Sequence, residues 1–124
     1  MKDYWKEGKY VDLWTINHIL SGFLVAGWGS FLGFSLPTLF IIATVLFVGW
    51  EIIERYFTVE HLPNQIMDVV FDYLGFGIFF LVVYAIPEGS YAVLICSTVL
   101  FVVLEVTGFR AYRQRNYRSY FIKP

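Results

Sequence analysis

Residues 36–55, LPTLFIIATVLFVGWEIIER, join an uninterrupted apolar run to a group of charged side chains. The fifteen residues 36–50 contain no ionisable side chain, and Glu51, Glu54 and Arg55 follow directly. A helix that crosses a hydrocarbon core of about 30 Å needs about 20 mostly apolar residues, because it rises about 1.5 Å per residue. The stretch therefore predicts a membrane-spanning helix whose charged end lies near one surface of the bilayer.

The chain carries three more apolar runs of comparable length. The four predicted spans cover residues 13–34, 36–53, 66–86 and 91–109. Connections of a few residues make consecutive spans antiparallel neighbours. The chain has 124 residues, 58% of them hydrophobic, which leaves no room for a separate soluble domain. The sequence therefore predicts an all-α protein with a single domain, residues 1–124, folded as a transmembrane antiparallel four-helix bundle.

The basic residues indicate how this bundle is oriented. All nine lie before the first span, between the second and third, or after the fourth: Lys2, Lys6, Lys9, Arg55, Arg110, Arg113, Arg115, Arg118 and Lys123. The connections at residues 33–37 and 87–90 contain neither Lys nor Arg. The positive-inside rule then places both termini in the cytoplasm or an equivalent compartment.

The basic tail, residues 110–123, interleaves Arg with Tyr. Directly after a membrane span, this composition is typical of an anchor for anionic lipid head groups. We therefore expect the lipid bilayer as a partner and no nucleic acid.

Acidic side chains are expected to converge beneath the cytoplasmic interface. Apolar stretches of only fourteen or fifteen residues separate Glu51, Asp72 and Glu105 from the outer ends of their spans. Each stretch covers about 21–23 Å, less than the core thickness of about 30 Å. Other polar residues lie in the same layer or one helical turn from it on the same faces. The predicted intramembrane pocket comprises His18, Glu51, Glu54, Asp68, Asp72 and Glu105.

Several acids inside a membrane need compensation by protons, by basic side chains or by a bound cation. The basic candidates are Arg55 and Arg110, besides a protonated histidine. Glu105 has a second interpretation, in which it pairs with Arg110 and does not join the pocket.

A metal ion is one form that the bound cation can take. The candidate ligands are His18, Glu51 and Asp72. Because the site is rich in carboxylates and the one cysteine, Cys96, lies in the fourth span, a hard divalent cation such as Mg²⁺, Ca²⁺ or Mn²⁺ is favoured over zinc.

Small residues at helical spacing predict close contacts between helices. The candidates are Gly22, Gly29 and Gly33 in the first span, and Gly75 and Gly77 in the third. Asn64, before the third span, is a candidate N-cap.

The polar positions together resemble the VanZ-like family of small bacterial membrane proteins. The resemblance covers about residues 12–80 and rests on three motifs: Asn17-His18, Trp50-Glu51-x-x-Glu54-Arg55, and Asn64-x-x-x-Asp68-x-x-x-Asp72-x-x-Gly75-x-Gly77. The family typically has a basic residue in place of Asn17 and an asparagine in place of Asp72. The resemblance implies a bacterial cytoplasmic (inner) membrane protein with a role in envelope lipids and glycopeptide tolerance.

Three functions are compatible with these patterns. The first is a VanZ-like protein whose acidic and histidine pocket binds a cation or a polar lipid head group. The second is a small accessory subunit of a larger membrane complex, and the third is a proton or cation conduit. No catalytic residue is assigned, because a serine one turn from a histidine on one helix face, as with Ser21 and His18, more often packs or bonds to backbone.

The predicted topology can be tested with reporter fusions. A reporter that is active only outside the cytoplasm is expected to be active when fused after Ser35 or Ser90 and inactive when fused after Pro124. Four spans return the chain to its starting side, so the C-terminus is expected in the cytoplasm. A cytoplasmic reporter at Ser90 would contradict the orientation. A cytoplasmic reporter at Ser35 would show that the first span does not cross.

Overall fold

The structure of the protein, a computed structural model, describes residue 5, residues 10–57 and residues 62–121, the last seven without side chains. These ranges form four α-helices: α1 (Trp14–Phe31), α2 (Leu36–Phe57), α3 (Leu62–Ala85) and α4 (Ser90–Phe121). A single 3₁₀ turn, Pro87–Gly89, joins α3 to α4. No strand occurs within the described ranges, so the prediction of an all-α protein is confirmed.

Three of the helices are long and apolar enough to cross a membrane, over Leu36–Tyr56, Leu62–Ala85 and Pro87–Gln114. The 18-residue α1 is not among them, and it carries several polar side chains. Apolar side chains on the other three helices point outward, and Val45 and Leu81 are each 67% exposed. Soluble monomers rarely expose contiguous apolar surfaces of this kind, so these surfaces indicate an integral membrane protein. The prediction that α1 also spans the membrane rests on the sequence alone.

The helix boundaries differ from the predicted spans mainly at the charged ends. α2 continues to Phe57 and α3 begins at Leu62, because helices do not stop where the apolar residues stop. Pro63 is tolerated in the first turn of α3, where its missing N–H has no helical partner to lose. Asn64 consequently lies inside α3 and is not its N-cap, and its side chain is buried.

α1 ends three residues before its predicted span because of Gly33. The backbone of Gly33 has a φ of 82°, which a residue without a Cβ adopts at little cost. The Phe34 amide donates to the Gly29 carbonyl at 3.1 Å, and the Gly33 amide donates to the Ser30 carbonyl at 3.0 Å. This pair of hydrogen bonds is a Schellman motif, which satisfies the last carbonyls of the helix.

Two other glycines set the closest helix contact in the protein. A Cβ on Gly22 would collide with the backbone carbonyl of Asp72, and a Cβ on Gly75 would collide with that of Ile19. The backbones of α1 and α3 therefore touch, and α1 also contacts α2 and α4. Among the other predicted packing residues, Gly29 packs against Leu39 of α2, whereas Gly33 and Gly77 have nothing within 4 Å of their Cβ positions.

All four helices contribute to one apolar core. Its buried side chains are Phe23 and Ala26 of α1, Leu39, Ala43 and Phe47 of α2, Phe76 and Phe79 of α3, and Leu94 of α4. The rings of Phe23 and Phe79 meet edge to face, with centroids 5.4 Å apart. The core fills the half of the interior away from the charged ends of α2 and α3.

The glycine contacts make a stability prediction. Gly22→Ala and Gly75→Ala are each expected to lower the free energy of unfolding by about 1–3 kcal/mol or more, because the new methyl group must push two backbones apart. The midpoint of thermal unfolding in detergent measures the effect. The matched control is Gly77→Ala, which adds its methyl group in open space and is expected to leave the midpoint unchanged or slightly raised. Equal effects at the three positions would contradict the contact.

Candidate functional site

His18 lies between two carboxylates of α3. Its Nδ1 is 3.2 Å from Oδ2 of Asp72, and its Nε2 is 3.8 Å from Oδ1 of Asp68. The two aspartates stand four residues apart, so both project from the same face of α3 toward α1. Each is only 2% exposed. The imidazole and both carboxylates are thus held inside the protein at one level.

The hydrogen bond to Asp72 determines which ring nitrogen of His18 is available to bind a ligand. When the imidazole is neutral, Nδ1 donates its proton to the Asp72 carboxylate and Nε2 keeps its lone pair. A carboxylate behind a histidine commonly orients the ring in this way in metal sites. Ser21, one turn along α1, interacts with the same carboxylate and lines the same pocket.

Two glutamates of α2, Glu51 and Glu54, also lie close to His18. One ligand atom from each of His18, Glu51 and Glu54 lies within 4.8 Å of the other two. Atoms bound to one hard cation at about 2.3–2.6 Å are separated by no more than about 5 Å, so the three residues fit a shared ion. Among the predicted metal ligands, the structure brings His18 and Glu51 together with Glu54, whereas Asp72 is held by the Nδ1 side of the histidine.

Glu105 of α4 is linked to this group by a hydrogen bond from Asn17 of α1. The Asn17 amide donates from Nδ2 to Oε1 of Glu105 at 3.0 Å. Arg110 is exposed on α4, and no ion pair connects it to Glu105 within the described part of the chain. Of the two interpretations of Glu105, the geometry favours the pocket.

Buried amides support the cluster, and the sequence analysis did not assign them to it. Asn17, Asn64 and Gln65 are 3%, 1% and 5% exposed. The side-chain amide of Asn64 donates to Oδ2 of Asp68 at 2.9 Å, and the Arg55 guanidinium donates to the side-chain oxygen Oε1 of Gln65. Arg55, which was predicted to offset the negative charge of the acids, is therefore connected to the cluster through the side-chain amide of Gln65. The positions of these amides along the chain gave a signal that could have been used, because Asn17 adjoins His18, and Asn64 stands one helical turn before Asp68.

These polar groups line a pocket of about 540 Å³ that lies between α2 and α4 and rests on α1 and α3. Its ionisable lining is His18, Glu54, Asp68, Asp72 and Glu105, its polar neutral lining is Asn17, Ser21 and Asn64, and its apolar and aromatic lining is Trp14, Val25, Leu46, Phe47, Trp50, Phe101, Phe109 and Tyr112. No Lys or Arg appears among the described residues that line it.

Two hydrogen-bond acceptors in this pocket are buried and lack a partner. They are Oδ1 of Asn17 and Oδ1 of Asp72; Ser21 lies near the Asp72 carboxylate but makes no hydrogen bond to its Oδ1 in the described structure. A buried polar atom without a hydrogen bond typically costs about 1–3 kcal/mol, and such atoms are rare in folded proteins. Both atoms require a donor or a positive charge, and the pocket has room to admit one.

Other predicted features lie outside the described residues. They are Lys2, Lys6 and Lys9 before the first helix and the side chains of the tail from Arg115 onward, including Arg118 and Lys123. The expected binding of anionic lipid head groups by this tail remains a prediction.

No family model, curated protein or solved structure matches this chain.

The bond between Asn17 and Glu105 can be measured with a double-mutant cycle. Asn17→Leu and Glu105→Leu are each expected to lower the free energy of unfolding by about 1–3 kcal/mol, since each leaves a buried polar partner without its bond. The double variant is expected to lose clearly less than the two single losses combined, because the bond is removed only once. Additive losses in detergent unfolding would show that the two residues do not interact.

Proposed function

We propose that this protein is an integral membrane protein that binds a positively charged ligand in the pocket between α2 and α4. What carries the proposal is the pair of buried, unpartnered acceptors, Asn17 Oδ1 and Asp72 Oδ1, in a pocket lined by four carboxylates. The ligand supplies the charge and the donors that these atoms lack.

The charges around the pocket decide the sign of the ligand. Four carboxylates face one imidazole, so even a protonated His18 leaves an excess of negative charge when the acids are ionised. Ionisable groups in the interior of a membrane protein are normally paired or functional because their isolation is costly. An anionic ligand would add repulsion, whereas a cation reduces it.

The pocket lies on the cytoplasmic side in the topology that the positive-inside rule favours. Glu54 is one turn beyond Glu51 toward Arg55, the basic end of α2. The pocket therefore opens near the inner leaflet of what we take to be a bacterial cytoplasmic membrane.

Membership of the VanZ-like family is part of this proposal. What supports it is that residues of the resemblance, which are far apart in the chain, line one pocket: Asn17 and His18 on α1, Glu54 on α2, and Asp68 and Asp72 on α3. Glu51 does not line the pocket, but it lies beside His18 and Glu54. A role in envelope lipids is consistent with a site that is accessible from the bilayer.

The two other functions have less support. A conduit would need ionisable groups through the outer half of the interior, and the buried side chains there, such as Phe23, Phe76 and Phe79, are apolar. The exposed apolar side chains of α2 to α4 are accounted for by contact with lipid, so they do not by themselves indicate a partner subunit.

Binding of cations by the purified protein tests the proposal. Mn²⁺, followed by electron paramagnetic resonance, and dodecylammonium, followed by the fluorescence of pocket residues Trp14 and Trp50, are the probes. We expect at least one to bind saturably, and Asp72→Asn or Glu105→Gln to weaken it by roughly tenfold or more, since a charged hydrogen bond contributes about 1.5–3 kcal/mol. Both replacements preserve side-chain shape.

Glu88→Gln is the matched control. Glu88 is an exposed carboxylate in the turn between α3 and α4, and it does not line the pocket. This variant is expected to bind like the unaltered protein. Failure of both cations to bind, or binding of dodecyl phosphate as tightly as dodecylammonium, would refute the proposal.

A further inference from the structure

We propose that the ligand of the pocket is a membrane lipid whose head group ends in a primary ammonium, and that it enters sideways from the bilayer between α2 and α4. This inference rests on the proposed cation binding and names the class of ligand.

The volume of the pocket indicates more than a bare ion. A water molecule occupies about 30 Å³ of liquid, so a cavity of about 540 Å³ is many times larger than a metal ion with a few waters. A lipid head group with the start of an acyl chain fills such a space. The carboxylate cluster takes up only one part of the lining.

The lining changes from polar to apolar along the helix axes. On α2, Leu46, Trp50 and Glu54 lie four residues apart and share one face, so Leu46 is about 12 Å deeper in the membrane than Glu54. On α4, Phe101 precedes Glu105 by about 6 Å of helix in the same direction. A lipid with its head group among the acids would lay its chain along Leu46 and Phe101 toward the middle of the bilayer.

The edge of the pocket is open to the side that lipid occupies. Leu46, Trp50 and Phe109 line the pocket and are nevertheless 51%, 54% and 58% exposed. Residues on the rims of both α2 and α4 thus face the cavity and the bilayer together. A ligand from the membrane reaches the acids without crossing an aqueous phase.

The unpartnered acceptors specify the head group. Oδ1 of Asn17 on α1 and Oδ1 of Asp72 on α3 both need N–H or O–H donors. A primary ammonium carries three N–H donors and a positive charge, so it offers hydrogen bonds to acceptors of this kind while its charge offsets the surrounding carboxylates. A trimethylammonium group has the same charge but no donor, so it leaves both acceptors unsatisfied.

Native mass spectrometry of the protein released from nanodiscs distinguishes these head groups. The discs contain phosphatidylethanolamine and phosphatidylcholine with identical acyl chains, so the lipids differ only in the substituents on nitrogen. We expect one molecule of phosphatidylethanolamine to be retained, in preference to phosphatidylcholine by roughly tenfold or more, because buried acceptors discriminate strongly against a ligand without donors.

Two variants test the pocket and two serve as controls. Asp72→Asn is expected to lower lipid retention by removing a negative charge from the pocket, and Leu46→Trp to reduce retention by filling the apolar lining. Leu81→Trp places the same bulk on an exposed site of α3 outside the pocket, and Glu88→Gln removes an exposed carboxylate outside it. Both controls are expected to retain the lipid.

The outcomes separate this inference from the proposed function. Equal retention of the two lipids, or equal loss of lipid from Leu46→Trp and Leu81→Trp, would overturn the inference. Binding of Mn²⁺ or dodecylammonium without retention of either lipid would overturn it while leaving cation binding intact. Absence of all cation binding would remove both.

Discussion

The contact between the backbones of α1 and α3 at Gly22 and Gly75 is the constraint on which the polar site depends. His18 lies one turn before Gly22 on α1, and Asp72 lies nearly one turn before Gly75 on α3. Because the two backbones touch, the imidazole reaches Asp68 and Asp72 directly, with Nδ1 3.2 Å from the Asp72 carboxylate. Larger residues at the glycines would separate the helices and with them the charges.

The membrane makes this arrangement more than a packing detail. Charged side chains in the bilayer interior are retained when they face the protein core and find partners there. The chain meets that requirement with a layer of buried amides and an imidazole around the acids. Among the described residues that line the pocket, Oδ1 of Asn17 and Oδ1 of Asp72 make no hydrogen bond. These acceptors are the basis of the proposal that the pocket binds a cation with hydrogen-bond donors.

The apolar core has a complementary role. Phe23, Phe47, Phe76 and Phe79 belong to the apolar core that packs beyond the polar layer. The gap between α2 and α4 then becomes the open side. The proposed lipid ligand would reach the site through this gap.

Much of this organisation follows from the sequence, because hydrophobic length and charge placement are properties of single segments. The apolar run at residues 36–50 and the acids beyond it predicted a helical membrane protein with carboxylates at one depth, and the shortness of the runs pointed to Glu51, Asp72 and Glu105. Depth along a helix depends only on counting residues, so such inferences need no knowledge of neighbours.

The rotation of each helix about its axis, and which side chains contact each other, could not be predicted in this way, since both depend on how the helices face one another. Only the tertiary structure shows that Glu54, and not Asp72, shares the possible cation position with His18 and Glu51. It also shows that Asn17 holds Glu105, and that Gly33 ends a helix while Gly22 and Gly75 bring two together. The sequence by itself determined the helical, apolar character of the chain and the position of each polar group along its segment. The packing of the helices decided which of those groups meet, because contact depends on how the helices are rotated and placed in three dimensions.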